Sequence, residues 1–525
     1  MQQHTNSLFQ SFLEAMSNYQ NPILRGCYPD PAICRVGEDY FLVTSTFSYF
    51  PGIPIFHSRD LVHWKQLGHC LDRKSQLDLA GRGIKDGIWA PGISHNDGLF
   101  YVTATHMKKG GGGNFIVTST DAAGPWSDPL WVDQPGIDPS LYFDDEGKCY
   151  YLTTHCLPGR SRNDIIMSQI DLKTGQRLTE MVPLWTGIGE LAPEGPHLYK
   201  IGGWYYLMIA EGGTYGGHME NIARSKSLWG PYEACPRNPI LTHRNDHHLP
   251  IQFAGHADLV ELPDGNWWMV HLGVRCSSYQ KQHLGRETFL VPVSWDKEGW
   301  PLVNGGKGFT ELEHDSPQLP PHPWTQLPHR DDFDEASLDL RWNHLGNPIL
   351  DHYSLSERPG YLRLRGSAST LAGLDSPTFL GRRQQDFVVR ASASIEFEPL
   401  TENEEAGMVV YMAPEAYYTL SVTLCGEGRE VILKLNLDHL QTVIARQEVS
   451  SGALTLAVDS SKESYTFWFA QSGGAMVRLG EAPVRYLCAE VADTFTGVYL
   501  GLFATGNGSS AKSHADFDWF EYQLQ

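Results

Sequence analysis

The sequence predicts an all-β protein with two domains, a β-propeller of five blades followed by an antiparallel β-sandwich. Three observations support this fold class. The 525 residues include 52 glycines and 32 prolines, which is typical of a chain with many turns, and this length suits two hydrophobic cores. One segment plan recurs five times in the first 310 residues, and a different strand pattern follows a proline-rich stretch.

The recurring plan is a short apolar stretch, a turn signal and a strand rich in aromatic residues. It occurs in DPAICRVGEDYFLVTST, APGISHNDGLFYVTATH, DPSLYFDDEGKCYYLTTH, EGPHLYKIGGWYYLMIA and HADLVELPDGNWWMVHL, which begin at Asp30, Ala90, Asp138, Glu194 and His256. These starts lie 60, 48, 56 and 62 residues apart, which leaves room for about four short strands in each unit. A unit of this size is a propeller blade, so residues 21–310 are predicted to form a five-bladed propeller.

The remainder of the chain follows a different plan. Residues 1–20 are interpreted as an N-terminal extension, and 311–328, ELEHDSPQLPPHPWTQLP, has the proline density of a stiff linker. After the linker, segments with alternating apolar and polar residues recur, among them YYTLSVTL (417–424) and SYTFWFA (464–470). Many such strands in a short length predict an antiparallel β-sandwich over residues 329–525.

Composition narrows the class of partner. A formal net charge of −21 argues against nucleic acid and anionic membranes, because both would repel the protein, and a neutral substrate fits better. The nine cysteines contain no CxxC pair, so neither a zinc ribbon nor a disulfide framework is indicated. The first residues lack a basic region followed by an apolar segment, and no run of about 18 apolar residues occurs. These features predict no signal peptide, no membrane span and a cytoplasmic location.

The residues that open the repeats are the candidate functional site. If the repeats superimpose, their openings lie at equivalent places near the start of the innermost strands and face the central axis. Asp30, Asp138, Glu194 and His256 would then converge. Converging carboxylates repel one another, which raises the pKa of at least one, and a protonated acid beside an ionised base is what cleavage of a glycosidic bond requires. For each residue alone, a turn-capping aspartate or a solvated glutamate remains the alternative.

Long stretches of the first 310 residues resemble a known family. They include YPDPAI around Asp30, GIWAPGI (87–93), GIDPSLYFDDEGKCYY (136–151), LAPEGPHLYK (191–200), GHADLVELPDGNWWMVHLG (255–273) and LGRETFLVPVSW (284–295). In these the chain resembles the glycoside hydrolase family 43 enzymes, five-bladed β-propellers that hydrolyse xylosides and arabinosides with inversion. The resemblance implies that Asp30 is the general base and Glu194 the general acid. It also implies that Asp138 is a third carboxylate that tunes the pKa of the acid and helps hold the sugar.

The resemblance also implies further site residues. Arg286 of GRETFL is similar to the substrate-binding arginine of the family, with a surface salt bridge as the alternative. Phe47 and Trp89 match aromatic residues that wall the sugar pocket, although either residue in a plain core role is the alternative. His256 of GHAD resembles an axial histidine that ligates a structural calcium ion in many members, and its alternative is a histidine hydrogen-bonded to the carboxylates. No cofactor is expected to take part in the chemistry.

The C-terminal strands, together with DDFDEASLDLRWN (331–343), resemble the lectin-like, concanavalin A-like domain of two-domain β-xylosidases. The predicted function is an exo-acting, inverting glycoside hydrolase that releases a terminal pentose from xylan-derived or arabinose-decorated oligosaccharides, with β-D-xylosidase as the preferred activity. The alternatives are mainly α-L-arabinofuranosidase activity or both activities, and, from a different class, a non-catalytic carbohydrate-binding propeller. A small oligosaccharide is the expected partner, and the sequence leaves a homo-oligomer open.

Overall fold

Strands and turns make up nearly all of the structure. The computed structural model describes residues 18–108, 112–277, 281–426 and 428–525. Within these ranges the single α-helix is the four-residue Ala489–Ala492, and the short 3₁₀ helices are Asn304–Gly306, Leu350–His352 and Val484–Leu487. The prediction of an all-β protein is confirmed. None of the helices described is long and apolar enough to cross a membrane. Of the predicted N-terminal extension, only residues 18–20 fall inside the described ranges.

Five antiparallel sheets follow one another along the first part of the chain, one for each sequence repeat. The strands, sheet by sheet, are Ala32–Val36, Asp39–Val43, Gly52–Ser58 and Lys65–Leu71; Gly87–Ile88, Gly92–Asn96, Leu99–Met107, Gly113–Ser119 and Leu130–Val132; Ile137–Phe143, Cys149–His155, Asp164–Ile170 and Val182–Trp185; Glu194–Ile201, Trp204–Glu211, Met219–Ser225, Glu233–Ala234 and Leu241–Thr242; and Ile251–Glu261, Trp267–Arg275, Glu287–Trp295 and Pro301–Val303.

The turn signals in the sequence form the hairpins between the opening strands. Asp97 and Gly98 join Gly92–Asn96 to Leu99–Met107, and their φ angles are 50° and 74°. A two-residue hairpin whose residues both have positive φ twists in the same sense as the strands that it joins, which explains the aspartate–glycine pair. The turn residues in the local sequence therefore determine where the first hairpin of each sheet turns.

The opening strands of the five sheets contact one another in a ring. The opening strand is the first strand of each sequence repeat, which in the second sheet is Gly92–Asn96. Each opening strand contacts that of the next sheet, and Ile251–Glu261 of the fifth sheet contacts Ala32–Val36 of the first. The start of the chain is also bound to the fifth sheet: Leu24 pairs with Thr288 through backbone hydrogen bonds. Because the first and last sheets are joined in this way, the five opening strands enclose one central space.

Two larger antiparallel sheets form the C-terminal part and share one buried apolar cluster. Val409 and Leu420 enter this cluster from the six-stranded sheet, and Leu364 and Ala391 enter it from the eight-stranded sheet. The prediction of a β-sandwich here is confirmed. The six-stranded sheet contains Thr378–Arg383, Tyr499–Thr505, Glu405–Ala413, Ala416–Cys425, Gly428–Leu437 and Leu440–Val449. The eight-stranded sheet contains Arg330–Asp331, Tyr353–Ser354, Leu362–Arg365, His514–Leu524, Val389–Glu396, Leu454–Ser460, Ser464–Gln471 and Val477–Pro483.

The two parts of the chain are joined by backbone pairing and by buried charge. The strand Tyr49–Phe50 pairs with His344–Leu345 across the boundary. Arg383 of the sandwich donates from Nε to the backbone oxygen of Cys27 at 2.7 Å. Residues of the predicted linker also contact the first part, because Glu313–Asp315 pairs with Asn18–Gln20. The sandwich is therefore held directly against the ring of sheets, close to its opening strands.

We expect the replacement of Asn21 by alanine to destabilise the ring. The Asn21 side chain is buried, accepts a hydrogen bond from the Leu290 N–H and donates to the Leu290 carbonyl, both at 2.9 Å. Alanine leaves both backbone groups without this partner in a buried place, which should lower the free energy of unfolding by about 2 kcal/mol. Urea unfolding followed by tryptophan fluorescence measures this change. Asn266→Ala in an exposed turn is the control, and an equal change in both variants would contradict the role of Asn21.

Candidate active site

One cavity of about 400 Å³ lies where the opening strands meet. All seven residues that the sequence singled out line it, and they do so together with Ala90, Ile137, Thr214 and Phe495. The seven residues are Asp30, Phe47, Trp89, Asp138, Glu194, His256 and Arg286. The expected convergence of the repeat openings is thus observed.

The backbone at four of the repeat openings has a residue with a positive φ angle. Asp30, Asp138 and His256 have φ angles of 56°, 53° and 50°, and Gly195, directly after Glu194, has a φ of 56°. The register of the opening hairpin shifts at Asp138, Glu194 and His256. Such bulges turn a side chain away from the regular alternation of a strand. Left-handed backbone is unfavourable for residues other than glycine and is held in place by the surrounding sheets.

Asp30 is a buried carboxylate with a cationic partner. Arg286 donates from one terminal nitrogen to Asp30 Oδ1 at 2.6 Å, and the Ser45 hydroxyl donates to Oδ2. Burial by itself would raise the pKa of Asp30, but the guanidinium of Arg286, with His256 and Ser45, lowers it below the ordinary value. Asp30 is therefore ionised over the neutral range and can accept a proton.

Asp138 and Glu194 behave in the opposite way. Burial is the main cause that raises the pKa of Glu194 to about 7, and the negative charge of Asp30 adds to it. Burial and the charges of Glu194 and Asp30 raise the pKa of Asp138 well above its ordinary value. Two carboxyl groups in one low-dielectric pocket do not both ionise readily, so this pair retains a proton near neutral pH. The pocket thus combines an ionised carboxylate with a protonated carboxyl pair.

The charge of Asp30 acts on Glu194 in addition to the repulsion that the sequence suggested. Asp138 was expected to keep the acid protonated through repulsion; the two carboxyl groups do repel one another, and the charge of Asp30 raises the pKa of both. Which carboxylates repel depends on their distances and on Arg286, and these are properties of the folded pocket. The role of Asp138 stays a prediction.

Aromatic rings and one guanidinium form the wall of the pocket. The ring of Phe47 lies 5.9 Å from that of Phe495, and the ring of Trp89 lies 6.1 Å from Phe495 in an edge-on arrangement. The Arg286 guanidinium lies 5.5 Å from the Phe47 ring centre and 5.8 Å from that of Phe495. Flat apolar faces of this kind suit the C–H side of a sugar ring.

Three hydrogen bonds hold Arg286 in place. It donates to Asp30, to the Thr214 hydroxyl at 3.3 Å and to the backbone oxygen of Phe495 at 3.3 Å. Its Nε is buried and has no hydrogen-bond partner among the described residues, and a buried donor without a partner is costly. The three bonds fix the guanidinium between Asp30 and the aromatic wall of the pocket.

Sequence reasoning missed two residues that line the pocket. Phe495 belongs to the C-terminal part, in the loop before the strand Tyr499–Thr505, and Thr214 follows the strand Trp204–Glu211. Neither residue opens a repeat. The only sequence signal is a lone aromatic in the turn-like DTFTG (493–497), which is too weak to assign a site from the sequence.

His256 is packed at the centre of the site. Its Nδ1 lies 4.0 Å from Asp30 Oδ1, and burial lowers its pKa to about 4, so the ring is neutral near pH 7. A Cβ at Gly195 would lie 3.1 Å from this ring, which explains a glycine directly after Glu194. The ring therefore packs between the general-acid candidate and Asp30.

Three side chains at this point offer ligand atoms for a cation. The ligand atoms of Asp138, Glu194 and His256 lie within 4.8 Å of one another. Calcium prefers six to eight oxygen ligands, whereas this set offers one nitrogen and two carboxyl groups. These three side chains do not fit a resident calcium ion. Binding through His256 and water stays a prediction, and nothing below depends on it.

Comparison with known proteins agrees with this geometry. The family model described as glycosyl hydrolases family 43 matches residues 19–301, and that of the beta xylosidase C-terminal concanavalin A-like domain matches 330–523. A non-reducing end alpha-L-arabinofuranosidase of Bacteroides ovatus is 44% identical over 97% of this chain and 95% of that protein. A xylosidase/arabinosidase of Butyrivibrio fibrisolvens is 39% identical over 95% of this chain and 98% of that protein.

A solved structure extends the similarity to the fold. GH43B of the Bacteroides ovatus xyloglucan PUL superimposes with a TM-score of 0.93 at 44% identity, covering 97% of this chain and 100% of that one. Both the N-terminal and the C-terminal part of the chain thus have counterparts in these relatives, in the same order along the chain. The family resemblance inferred from the motifs is confirmed, and the chain is a glycosidase that belongs to glycosyl hydrolase family 43.

Proposed function

We propose that this glycosidase is exo-acting and inverting and releases a terminal pentose from xylan-derived or arabinose-decorated oligosaccharides. The observation that carries the proposal is the presence in one pocket of an ionised Asp30 and of an Asp138 and Glu194 pair that retains a proton. A base and an acid held in opposite protonation states are the requirement of glycoside hydrolysis. The preferred activity is that of a β-D-xylosidase.

The reaction assigns one proton transfer to each carboxyl group. Asp30 takes a proton from a water molecule, whose oxygen attacks the anomeric carbon. Glu194 gives its proton to the glycosidic oxygen, so that the bond to the leaving group breaks as the new bond forms. Attack from the face opposite the leaving group inverts the anomeric centre. Asp30 then releases its proton to solvent and Glu194 takes up a proton from solvent, which restores both groups.

The other pocket residues bind and orient the sugar. Asp138 shares a proton with Glu194 and offers an oxygen to the sugar hydroxyls. Arg286 holds Asp30 ionised through their contact and lines the pocket beside the sugar. Phe47 and Trp89 supply apolar faces. Phe495 walls the pocket on one side, and a pocket walled in this way favours a chain end over the middle of a polymer.

We further infer that the five sheets are the blades of a five-bladed β-propeller spanning residues 21–310. Five sheets in chain order, the ring of contacts between their opening strands, and the attachment of Leu24 to the fifth sheet support this architecture. A propeller places the innermost strand of every blade around one axis. This arrangement explains why residues that open distant repeats share a pocket.

The arabinofuranosidase alternative has its own support. A relative that is 44% identical over nearly the whole chain is named an alpha-L-arabinofuranosidase, and another relative is named for both activities. A terminal β-D-xylopyranose and an α-L-arabinofuranose present similar hydroxyl arrangements to one pocket. The two activities therefore differ in the pentose and share the residues described above.

We expect Asp30→Asn and Glu194→Gln to lose most hydrolytic activity. Either change removes one proton-transfer group while its size is kept, which should lower kcat by roughly 10²- to 10⁴-fold. Initial rates on aryl β-D-xylopyranoside and aryl α-L-arabinofuranoside measure the loss and identify the preferred pentose. A wild-type protein that binds pentose but cleaves neither substrate would instead support the non-catalytic carbohydrate-binding propeller.

The anomer released first should be inverted relative to the substrate. Proton NMR during the first minutes of hydrolysis should show α-xylose from a β-xyloside, before mutarotation mixes the anomers, because water attacks from the opposite face. Immediate release of β-xylose would contradict the assignment of Asp30 as a general base.

The pH dependence of kcat/KM should be bell-shaped. Activity rises as Asp30 ionises, below the ordinary range for an aspartate, and falls as Glu194 loses its proton near pH 7. Arg286 lowers the pKa of both Asp30 and Glu194, so Arg286→Met should move both limbs of the profile to higher pH. The low-pH limb, which reports the ionisation of Asp30, should move by about one pH unit or more. Arg160→Met, which removes an ion pair with Asp164 outside the pocket, is the control. Unmoved limbs in Arg286→Met would refute the electrostatic role.

A further inference from the structure

A single buried carboxylate holds the loop that leads into Glu194. Glu211 ends the strand Trp204–Glu211, is fully buried and does not line the pocket. Its Oε2 accepts the Ile188 N–H at 2.8 Å, and its Oε1 accepts the Glu190 N–H at 3.0 Å. The side chain thus satisfies backbone donors of residues 188–190, a segment without regular structure.

The packing around this carboxylate leaves little freedom. Asn221, on the adjacent strand, donates from Nδ2 to Glu211 Oε2 at 2.8 Å. Gly187 lies so close that a Cβ there would meet the carboxyl group at 2.3 Å. Burial raises the pKa of Glu211, and the hydrogen bonds from Ile188, Glu190 and Asn221 offset part of this shift. The loop is therefore pressed against Glu211 and bonded to it from several sides.

Other contacts bind the residues between this loop and Glu194. The Gly212 N–H donates to the Leu191 carbonyl at 2.6 Å, and the Thr154 hydroxyl donates to the Pro193 carbonyl at 2.5 Å. Glu194 itself pairs with Ala210, the residue before Glu211. A displacement of the loop from Glu211 would hence be passed directly to the backbone of Glu194.

We propose that Glu211 is a positioning residue for Glu194: it holds residues 187–191 so that the Glu194 carboxyl meets the oxygen of the leaving group. This inference rests on the proposed role of Glu194 as the general acid. Proton donation by Glu194 would then depend on Glu211, a residue that is buried behind the loop and outside the pocket.

A positioning role of this kind has a specific kinetic signature. Protonation matters greatly when the leaving group is a sugar hydroxyl, which is a strong base once it departs, and matters little when it is a dinitrophenolate. Misplacement of the acid should therefore slow the two classes of substrate unequally. General loss of folded protein, or damage to Asp30 and the sugar pocket, would slow both equally.

The experiment compares kcat/KM for Glu211→Gln and the wild type on two substrates with the same pentose, a dinitrophenyl glycoside and the corresponding disaccharide. An amide at position 211 sets an N–H group against the backbone donors of the loop. We expect the disaccharide to lose on the order of 30-fold and the dinitrophenyl glycoside less than about 3-fold, within the range of general acid catalysis. Glu404→Gln is the matched control.

Glu404 is a suitable control because it is a buried glutamate that also binds loop N–H groups, but far from the pocket. It accepts from Leu400 and Lys512, each at 2.6 Å, within the sandwich. Its replacement should leave the ratio of the two kcat/KM values unchanged. The control therefore shows whether the effect of Glu211→Gln comes from the place of Glu211 in the fold or from any replacement of a buried glutamate by glutamine.

Gly187→Ala tests the same contact from the loop side and remains available if Glu211→Gln does not fold. Its Cβ displaces the loop while Glu211 stays intact, and it should reduce disaccharide cleavage selectively. Equal losses on both substrates, or no loss on either in the folded variants, would overturn the inference. A wild-type protein that cleaves neither substrate would instead defeat the proposed function, and the inference with it.

Discussion

The buried ion pair between Arg286 and Asp30 joins the two ends of the ring of sheets. Asp30 lies just before the first strand of the first sheet, and Arg286 lies just before the strand Glu287–Trp295 of the fifth. Burying two charges costs solvation free energy, and well-packed apolar residues would often be as stable. The pair is better explained by what its charges do, because Arg286 keeps Asp30 ionised within the pocket and Asp30 in turn raises the pKa of Glu194.

The Arg286–Asp30 pair thus acts, together with burial, on the protonation of all three carboxyl groups in the pocket. A carboxylate buried without Arg286 would tend to be neutral and could not serve as a base. Once Asp30 is ionised, its charge and the low dielectric of the pocket hold a proton on Asp138 and Glu194. Asp30 and Glu194 are of the same chemical type, so the opposite shifts of their pKa values follow from their surroundings alone.

The sandwich completes this site as well as packing against it. Phe495 forms one wall, and its backbone oxygen accepts a hydrogen bond from Arg286. Lys85 of the first part forms an ion pair with Asp493 and lies over the Phe495 ring, and its carbonyl accepts the Trp89 indole N–H. The position of both aromatic walls therefore depends on contacts across the boundary between the two parts of the chain.

The sequence by itself determined the all-β class, the five repeated units and the residues that open them, because alternating strands and glycine turns are local features with a recognisable period. Equivalent positions in repeats that fold alike occupy equivalent places, which is why Asp30, Asp138, Glu194 and His256 could be brought together from sequence. Only the tertiary structure decided that Phe495 lines the pocket. It alone decided that the charge of Asp30 also acts on Glu194, and that Glu211 binds the backbone N–H groups of Ile188 and Glu190. These features depend on distances between segments far apart in the chain, and no local pattern encodes such distances.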